Sequence, residues 1–195
     1  MGTKSVKVKT SAVFLDRDGT VIFDRNYLSS PKKVKLYSFS AQSINKLRAA
    51  GFKIIIVTNQ SGISRGMFTE GDLIKVNRRL LSLLKAKGAK IDSVYYCPHS
   101  DFDDCYCRKP KIGLALNGAR DFDIDLKKSY AVGDSIRDYL FGFNMGGKGI
   151  LVLTGHGKKE QDAIIVSEKI KPFIVCKTLK QAVNFIIKDA KRYPR

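Results

Sequence analysis

Residues 12–20 read Ala12-Val-Phe-Leu-Asp16-Arg17-Asp18-Gly19-Thr20: four apolar side chains run without a break into two acids, a glycine and a hydroxyl. A short unbroken apolar run is the pattern of a strand covered on both faces. A simple exposed turn is the alternative reading of Asp-x-Asp-Gly, but such a turn needs no buried strand to hold it rigid. An EF-hand loop does not fit, because the glycine falls at the fourth position and Tyr27 stands where the bidentate Glu belongs.

Similar runs recur at residues 53–57, 93–96, 129–132, 149–153 and 173–175. Segments of helical period separate them, at about 40–50, 112–122 and 136–145, with a weaker one after Gly157. Another opens at Thr69-Glu-Gly-Asp72, close to a capping box, and carries Leu73, Val76, Leu80 and Leu84 on one stripe. The last opens at Thr178-Leu-Lys-Gln181, another capping-box pattern, and continues through Ala182, Phe185 and Ile186 into a Lys-rich tail, from about 188, that is expected to fray. This alternation predicts an α/β fold, a Rossmann-like doubly wound parallel sheet with helices on both faces. Ligands of such sheets bind beyond the carboxyl ends of the strands. Those ends carry Asp16 and Asp18, then Thr58-Asn59-Gln60, then Gly133-Asp134-Ser135, so acids and hydroxyls far apart in the chain converge on one edge. Residues 24–37 and 99–111 interrupt the rhythm, and loops of that length inside a compact domain are usually functional or disordered.

The 195 residues suit a single domain spanning 1–195. No apolar run approaches the ~18–20 residues of a membrane span, and the first residues lack a signal-peptide core, which together predict a cytoplasmic chain with no membrane partner. Lys and Arg number 36 against 18 acids, a formal charge of +18. A field of that sign favours phosphorylated metabolites or nucleic acid, and a merely solvated basic surface would give the same sum. No aromatic-and-basic platform for single strands is visible, which counts against nucleic acid.

Cys97-Pro-His99 and Cys105-Tyr-Cys107 form a second cluster. Three thiolates and one imidazole suit tetrahedral Zn²⁺, with no open position left for catalysis. Free thiols, or a Cys97–Cys105 or Cys97–Cys107 disulfide, are the competing readings; a disulfide leaves one cysteine over and gives His99 no purpose. Cys176 reads as ordinary packing, and His156 receives no role.

Taken together, Phe14-Leu-Asp16-Arg-Asp18-Gly-Thr20, Val57-Thr58-Asn59-Gln60, Arg108-Lys109-Pro110 and Val132-Gly133-Asp134 resemble, in order and over nearly the whole chain, the haloacid dehalogenase-type phosphohydrolases. The resemblance implies a phosphatase in which Asp16 and Asp134, with the carbonyl of Asp18, hold Mg²⁺, and Asp16 attacks phosphorus to form an aspartyl-phosphate. Asp18 then serves as acid and base, and Thr58 and Lys109 steady the charged transition state. Arg108 contacts phosphate or positions the substrate, and Asp138 orients the metal site from behind. The zinc loop makes the chain similar to the D-glycero-D-manno-heptose 1,7-bisphosphate 7-phosphatases and the histidinol-phosphatase domains. The run Thr58-Asn-Gln-Ser-Gly-Ile-Ser-Arg-Gly66 and Asn26-Tyr27-Leu28 follow the heptose branch. Two features depart from it: only five residues separate His99 from Cys105, and Asp134 is followed by Ser135 instead of Lys. A capless site is expected, shaped by residues 24–37, 61–68 and the zinc loop, with Asn59, Ser61, Arg65 and Arg108 on the substrate. The implied partner is a small phosphorylated sugar substrate and the chain is expected to be a monomer; histidinol phosphate and nucleic-acid ends are the alternatives.

Overall fold

The computed structural model describes residues 9–167 and 174–192, and the side chains of these except 163–167. Six strands form one parallel sheet: β1 (Ala12–Leu15), β2 (Lys53–Asn59), β3 (Ser93–Cys97), β4 (Tyr130–Gly133), β5 (Lys148–Val152) and β6 (Val175–Cys176). Their order is β3-β2-β1-β4-β5-β6, so the chain reverses direction across the sheet between β1 and β4. That switch point opens a crevice at the carboxyl ends of the two strands. The expected Rossmann-like architecture is therefore present.

Alternate residues of β1 supply two cores, as the period of two in a strand requires. Val13 and Leu15 face α1 (Ser40–Ala49), α2 (Glu70–Ala86) and α6 (Leu179–Arg192) through Ile44, Leu47, Val76, Leu80 and Ile186. Ala12 and Phe14 face α3 (Gly113–Phe122) and α4 (Ile136–Asn144) through Leu114, Ala115 and Phe141. Phe14 and Phe141 meet edge to face, with ring centroids 5.9 Å apart. Each such fully buried side chain contributes about 1.5–3 kcal/mol, so the strand that delivers Asp16 is held rigidly from both faces. Gly142 lets α4 lie against β5, since a Cβ there would come within 2.6 Å of the Gly149 Cα.

The helices follow the sequence pattern closely. Thr69 and Asp72 form a full capping box on α2, and Ser135 with Asp138 forms another on α4. The weaker helix after Gly157 is α5 (Gly157–Ser167). Two expectations need correcting. Phe173 lies outside the described residues, and Cys176 belongs to the last strand instead of following it. The tail from 188 is also not frayed over its described part, because α6 continues to Arg192. Asp189 supplies the reason: it accepts hydrogen bonds from the Tyr130 hydroxyl (2.6 Å) and from Lys148 Nζ (2.7 and 2.8 Å), which pins the last turns of α6 to β4 and β5. No described helix is long and apolar enough to cross a membrane.

Partial burial alone would raise the Asp189 carboxyl, but Lys148 and Tyr130 outweigh it and hold it below the ordinary carboxylate value. A depressed folded-state pKa gives stability that is present above the unfolded value of about 3.9 and lost as pH falls through the folded one. Asp189→Asn is therefore expected to cost about 1–2 kcal/mol in urea unfolding at pH 7, with the difference from wild type narrowing as pH falls below the unfolded carboxylate value of about 3.9.

Candidate active site and metal centres

Three strand ends and one loop build the site. Asp16 follows β1, Thr58 closes β2, Asp134 follows β4, and Lys109 arrives on the loop after β3. Lys109 is 3% exposed; its Nζ lies 2.6 Å from Asp16 Oδ1 and 2.6 Å from Asp138 Oδ1, and donates to the Val57 carbonyl at 2.7 Å. Burial alone would pull the ammonium pKa down, but the Asp138 and Asp16 carboxylates outweigh it and raise it above the ordinary lysine value. Asp138 is itself fixed by the α4 capping box, where its Oδ2 accepts the Ser135 N–H at 3.1 Å.

Asp134 is held by the backbone N–H of His156, which donates to Oδ2 at 2.8 Å. Gly19, at φ +76°, makes room for it, since a Cβ there would fall 1.9 Å from Asp134 Oδ2. The conformation and the close approach both require glycine at that position. Asp18 accepts at Oδ2 from Arg17 Nε (2.9 Å) and from Gln60 Nε2 (3.0 Å), and the same Gln60 nitrogen donates to Thr58 Oγ1 at 2.7 Å.

The electrostatics of the cluster ask for a cation. Asp16, Asp134 and Asp138 bring ligand oxygens within 4.8 Å of one another, and Lys109 is the ammonium among them. Burial raises the Asp16 carboxyl well above its ordinary value, Lys109 pulls it back, and Asp138, Asp134 and Asp18 push it up again. Burial and Asp138 push Asp134 up to about 7. A hard divalent ion with oxygen ligands fits this donor set and would keep both acids ionised.

The cysteine cluster is equally well defined. Cys97 Sγ lies 3.7 Å from Cys105 Sγ and 3.5 Å from His99 Nδ1, and Cys107 Sγ lies 3.4 Å from the same nitrogen. A zinc tetrahedron with Zn–S of about 2.3 Å and Zn–N of about 2.05 Å has edges of about 3.8 and 3.6 Å. A disulfide needs about 2.05 Å, and all three cysteines are free, so the disulfide reading does not hold. Burial raises the Cys97 and Cys107 thiols, and a bound metal would offset that by favouring the thiolates.

Several residues do more than the motifs foretold. Both ends of the Asn59 amide bond the backbone of Lys109: Nδ2 donates to its carbonyl at 3.1 Å and Oδ1 accepts its N–H at 3.0 Å. The expected substrate residue thus positions Lys109. Arg108 donates through Nε and Nη2 to Asp101, both at 3.0 Å, and through Nη1 to the His99 carbonyl, which ties its guanidinium to the loop that carries the cysteine cluster. Arg137 reaches Asp101 as well, at 3.1 Å, and Arg65 is exposed nearby, where its charge helps Arg108 hold the Asp101 carboxyl low. Ser61, Asn59 and Gln60 line a cleft of about 250 Å³ with Asp18, Asp24 and Asn26. His156, given no role from sequence, pairs its Nε2 with Asp24 at 2.7 Å and so links the loop after β5 to the early loop. Nothing in the motif pattern marked Asp24, Asp101 or His156, because their roles depend on which loops meet.

An acidic cluster beside one buried lysine, at the switch point of a parallel sheet, is the equipment of a phosphoryl-transfer enzyme. A family model described as HAD-hydrolase-like matches residues 106–182. The D-glycero-β-D-manno-heptose-1,7-bisphosphate 7-phosphatase of Helicobacter pylori J99 is 35% identical over 90% of this chain and 96% of its own length. The D-glycero-α-D-manno-heptose-1,7-bisphosphate 7-phosphatase of Campylobacter jejuni is 35% identical over 91% and 96%. Among solved structures, the D,D-heptose 1,7-bisphosphate phosphatase of B. bronchiseptica, complexed with magnesium and phosphate, superposes with a TM-score of 0.82 at 32% identity, covering 93% of this chain and all of that one. The chain belongs to the HAD-like hydrolases, and within them it is a phosphatase similar to the heptose bisphosphate enzymes.

The cysteine geometry predicts about one zinc per chain by elemental analysis. Cys107→Ser should lose that zinc and become more sensitive to proteolysis within residues 99–111; full zinc retention in the variant would contradict the ligand set.

Proposed function

We propose that this chain is a Mg²⁺-dependent phosphomonoesterase that removes the 7-phosphate of D-glycero-D-manno-heptose 1,7-bisphosphate through an aspartyl-phosphate. The observation that carries it is the meeting of Asp16, Asp18, Thr58, Lys109 and Asp134 at one sheet edge, with Lys109 Nζ 2.6 Å from Asp16 Oδ1. The heptose substrate is supported by the relatives above and by the polar cleft beside Asp18, whose amides, hydroxyl and carboxylates suit a polyhydroxylated sugar.

Asp16 and Asp134, with the Asp18 carbonyl, would hold Mg²⁺, which when bound supplies positive charge against the phosphoryl oxygens. Asp16 attacks phosphorus, the bond to the leaving oxygen breaks, and Asp18 gives that oxygen a proton. Asp18 then takes a proton from the water that cleaves the aspartyl-phosphate. Thr58 and Lys109 face the charge that builds on the phosphoryl group. Asp138 acts behind Lys109. Cys97, His99, Cys105 and Cys107 would hold Zn²⁺ and so fix the loop that carries Lys109. Asn59 and Ser61, which line the cleft, would meet the sugar, with Arg65 and Arg108 as further substrate residues, and Asn59 and Arg108 also brace the loop that carries Lys109. The reading places the enzyme in the cytoplasm as a monomer.

Phosphate release from heptose 1,7-bisphosphate is expected to exceed that from histidinol phosphate and from DNA 3′-phosphate by at least about tenfold in kcat/KM. Preference for histidinol phosphate would move the assignment to that branch and leave the chemistry standing. Asp16→Asn should abolish turnover, by about a thousandfold or more, with unchanged zinc content and circular dichroism; substantial residual activity would remove Asp16 as the nucleophile.

A further inference from the structure

At the amino ends of β4 and β5, across the sheet from the edge that carries Asp16 and Asp134, three segments meet around a cleft of about 370 Å³. Residues 127–130 enter β4 there, Lys148 opens β5, and Asp189 and Ala190 come from the last turns of α6. The volume lies in the range of small-molecule sites, about 300–1,000 Å³. The whole of β4 separates this cleft, at Tyr130, from Asp134 just past the strand's far end, a span of about 13 Å at roughly 3.3 Å per residue.

The floor of the cleft is rigid. A Cβ on Gly147 would fall 2.3 Å from the Ser129 carbonyl oxygen and 2.8 Å from that of Leu126, so the turn before β5 packs directly on the short 3-10 helix Leu126–Lys128. Ser129 is buried, with its Oγ donating to the Asp125 carbonyl at 2.6 Å and accepting the Ala12 N–H at 2.9 Å. Tyr130, also buried, donates its hydroxyl to Asp189, and Asp189 meets Lys148 Nζ with both oxygens.

Charge around this floor is not balanced. Among the described residues Asp189 is the one acid that lines the cleft, and Lys148 already answers it. Lys127 and Lys128 line it as well, both exposed, and neither is paired with a carboxylate among the described residues. Arg192 stands close enough for its charge to act on Asp189. An excess of cations on a rigid concave surface concentrates anions. An ammonium is a compact point charge with three donors and suits phosphoryl oxygens. The geometry points to a second binding site, in which Lys127 and Lys128 hold a small phosphorylated metabolite carrying two or more phosphoryl charges against the floor formed by Tyr130, Lys148 and Asp189. A cleft of this volume encloses an anion of metabolite size, whereas a nucleic-acid duplex would meet only its rim. The site is independent of the chemistry assigned to Asp16 and lies outside the catalytic crevice.

Inorganic pyrophosphate is the probe, titrated calorimetrically into the full chain at low salt without added magnesium. Wild type is expected to bind it, and Lys127→Ala/Lys128→Ala should weaken that binding about tenfold or more, the loss of two charge-assisted contacts. Lys85→Ala/Lys87→Ala removes two charges from the far end of α2 and should leave the affinity within about twofold. In both variants kcat/KM on p-nitrophenyl phosphate should stay within about twofold, because neither pair belongs to the catalytic crevice. If the double variant does not fold, Lys127→Gln and Lys128→Gln are titrated singly, each expected to weaken binding about threefold. Absence of binding to wild type would overturn the inference. Equal weakening in both double variants would also overturn it, by assigning the binding to the general field of the +18 chain. Binding that survives undiminished in Lys127→Ala/Lys128→Ala would overturn it by placing pyrophosphate in the catalytic crevice. A DNA duplex of about 20 base pairs that binds more tightly than pyrophosphate and is lost in the same variant would replace the metabolite with a nucleic-acid backbone.

Discussion

A lysine ammonium buried between two carboxylates organises this protein. Lys109 Nζ touches Asp16, Asp138 and the Val57 carbonyl, so one side chain joins the end of β1, the last turns of β2, the cap of α4 and the loop after β3. Taking an ammonium out of water costs several kcal/mol unless its partners are well placed. The chain therefore holds all four segments in register or loses the arrangement together. In the proposed reaction the same low-dielectric setting makes the ammonium effective toward phosphoryl charge.

Lys109 can be placed so tightly because the loop carrying it is braced in ways that need no hydrophobic core. Phe102, at 93% exposed, shows how little apolar burial the loop after β3 achieves. Cys97, His99, Cys105 and Cys107 instead draw together within metal-ligand distance, Arg108 grips Asp101 and the His99 carbonyl, and Asn59 pairs with the Lys109 backbone. Lys109 follows Cys107 by two residues, so any slack at the metal cluster would pass almost undiminished to the ammonium. On the other side of the crevice the site relies on loop-to-loop contacts: His156 donates to Asp134 through its backbone and pairs with Asp24 through its ring. The rigid sheet supplies the edge that carries Asp16 and Asp134, and these loops supply the walls.

Much of this was legible in the chain. Unbroken apolar runs marked all six strands to within a few residues, because strands buried on both faces must be apolar on both. The capping box at Thr69 lies within one turn of sequence and depends only on local geometry, as does the Thr178 hydroxyl that accepts the Gln181 N–H. Asp16, Asp18, Thr58 and Asp134 stood out because each terminates such a run. The helical course of residues 188–192 was missed, since nothing local shows that Asp189 meets Tyr130 and Lys148, some 59 and 41 residues away. Asn77, a buried polar residue on the apolar stripe of α2, left a faint trace, but Arg17, which donates to it, lies 60 residues upstream.

The sequence by itself determined the element order, the parallel sheet, the acids and hydroxyl at the strand ends and the four residues of the cysteine–histidine cluster, because each follows from spacings of a few residues acting through period, capping and ligand chemistry. The tertiary structure alone decided which charges share a buried space: that Lys109 lies between Asp16 and Asp138, that Asn59 and Arg108 brace the loop, and that Arg17 and Gln60 meet on one oxygen of Asp18. Burial and through-space Coulomb interaction depend on three-dimensional distance, and no local pattern encodes the meeting of segments 29 to 93 residues apart.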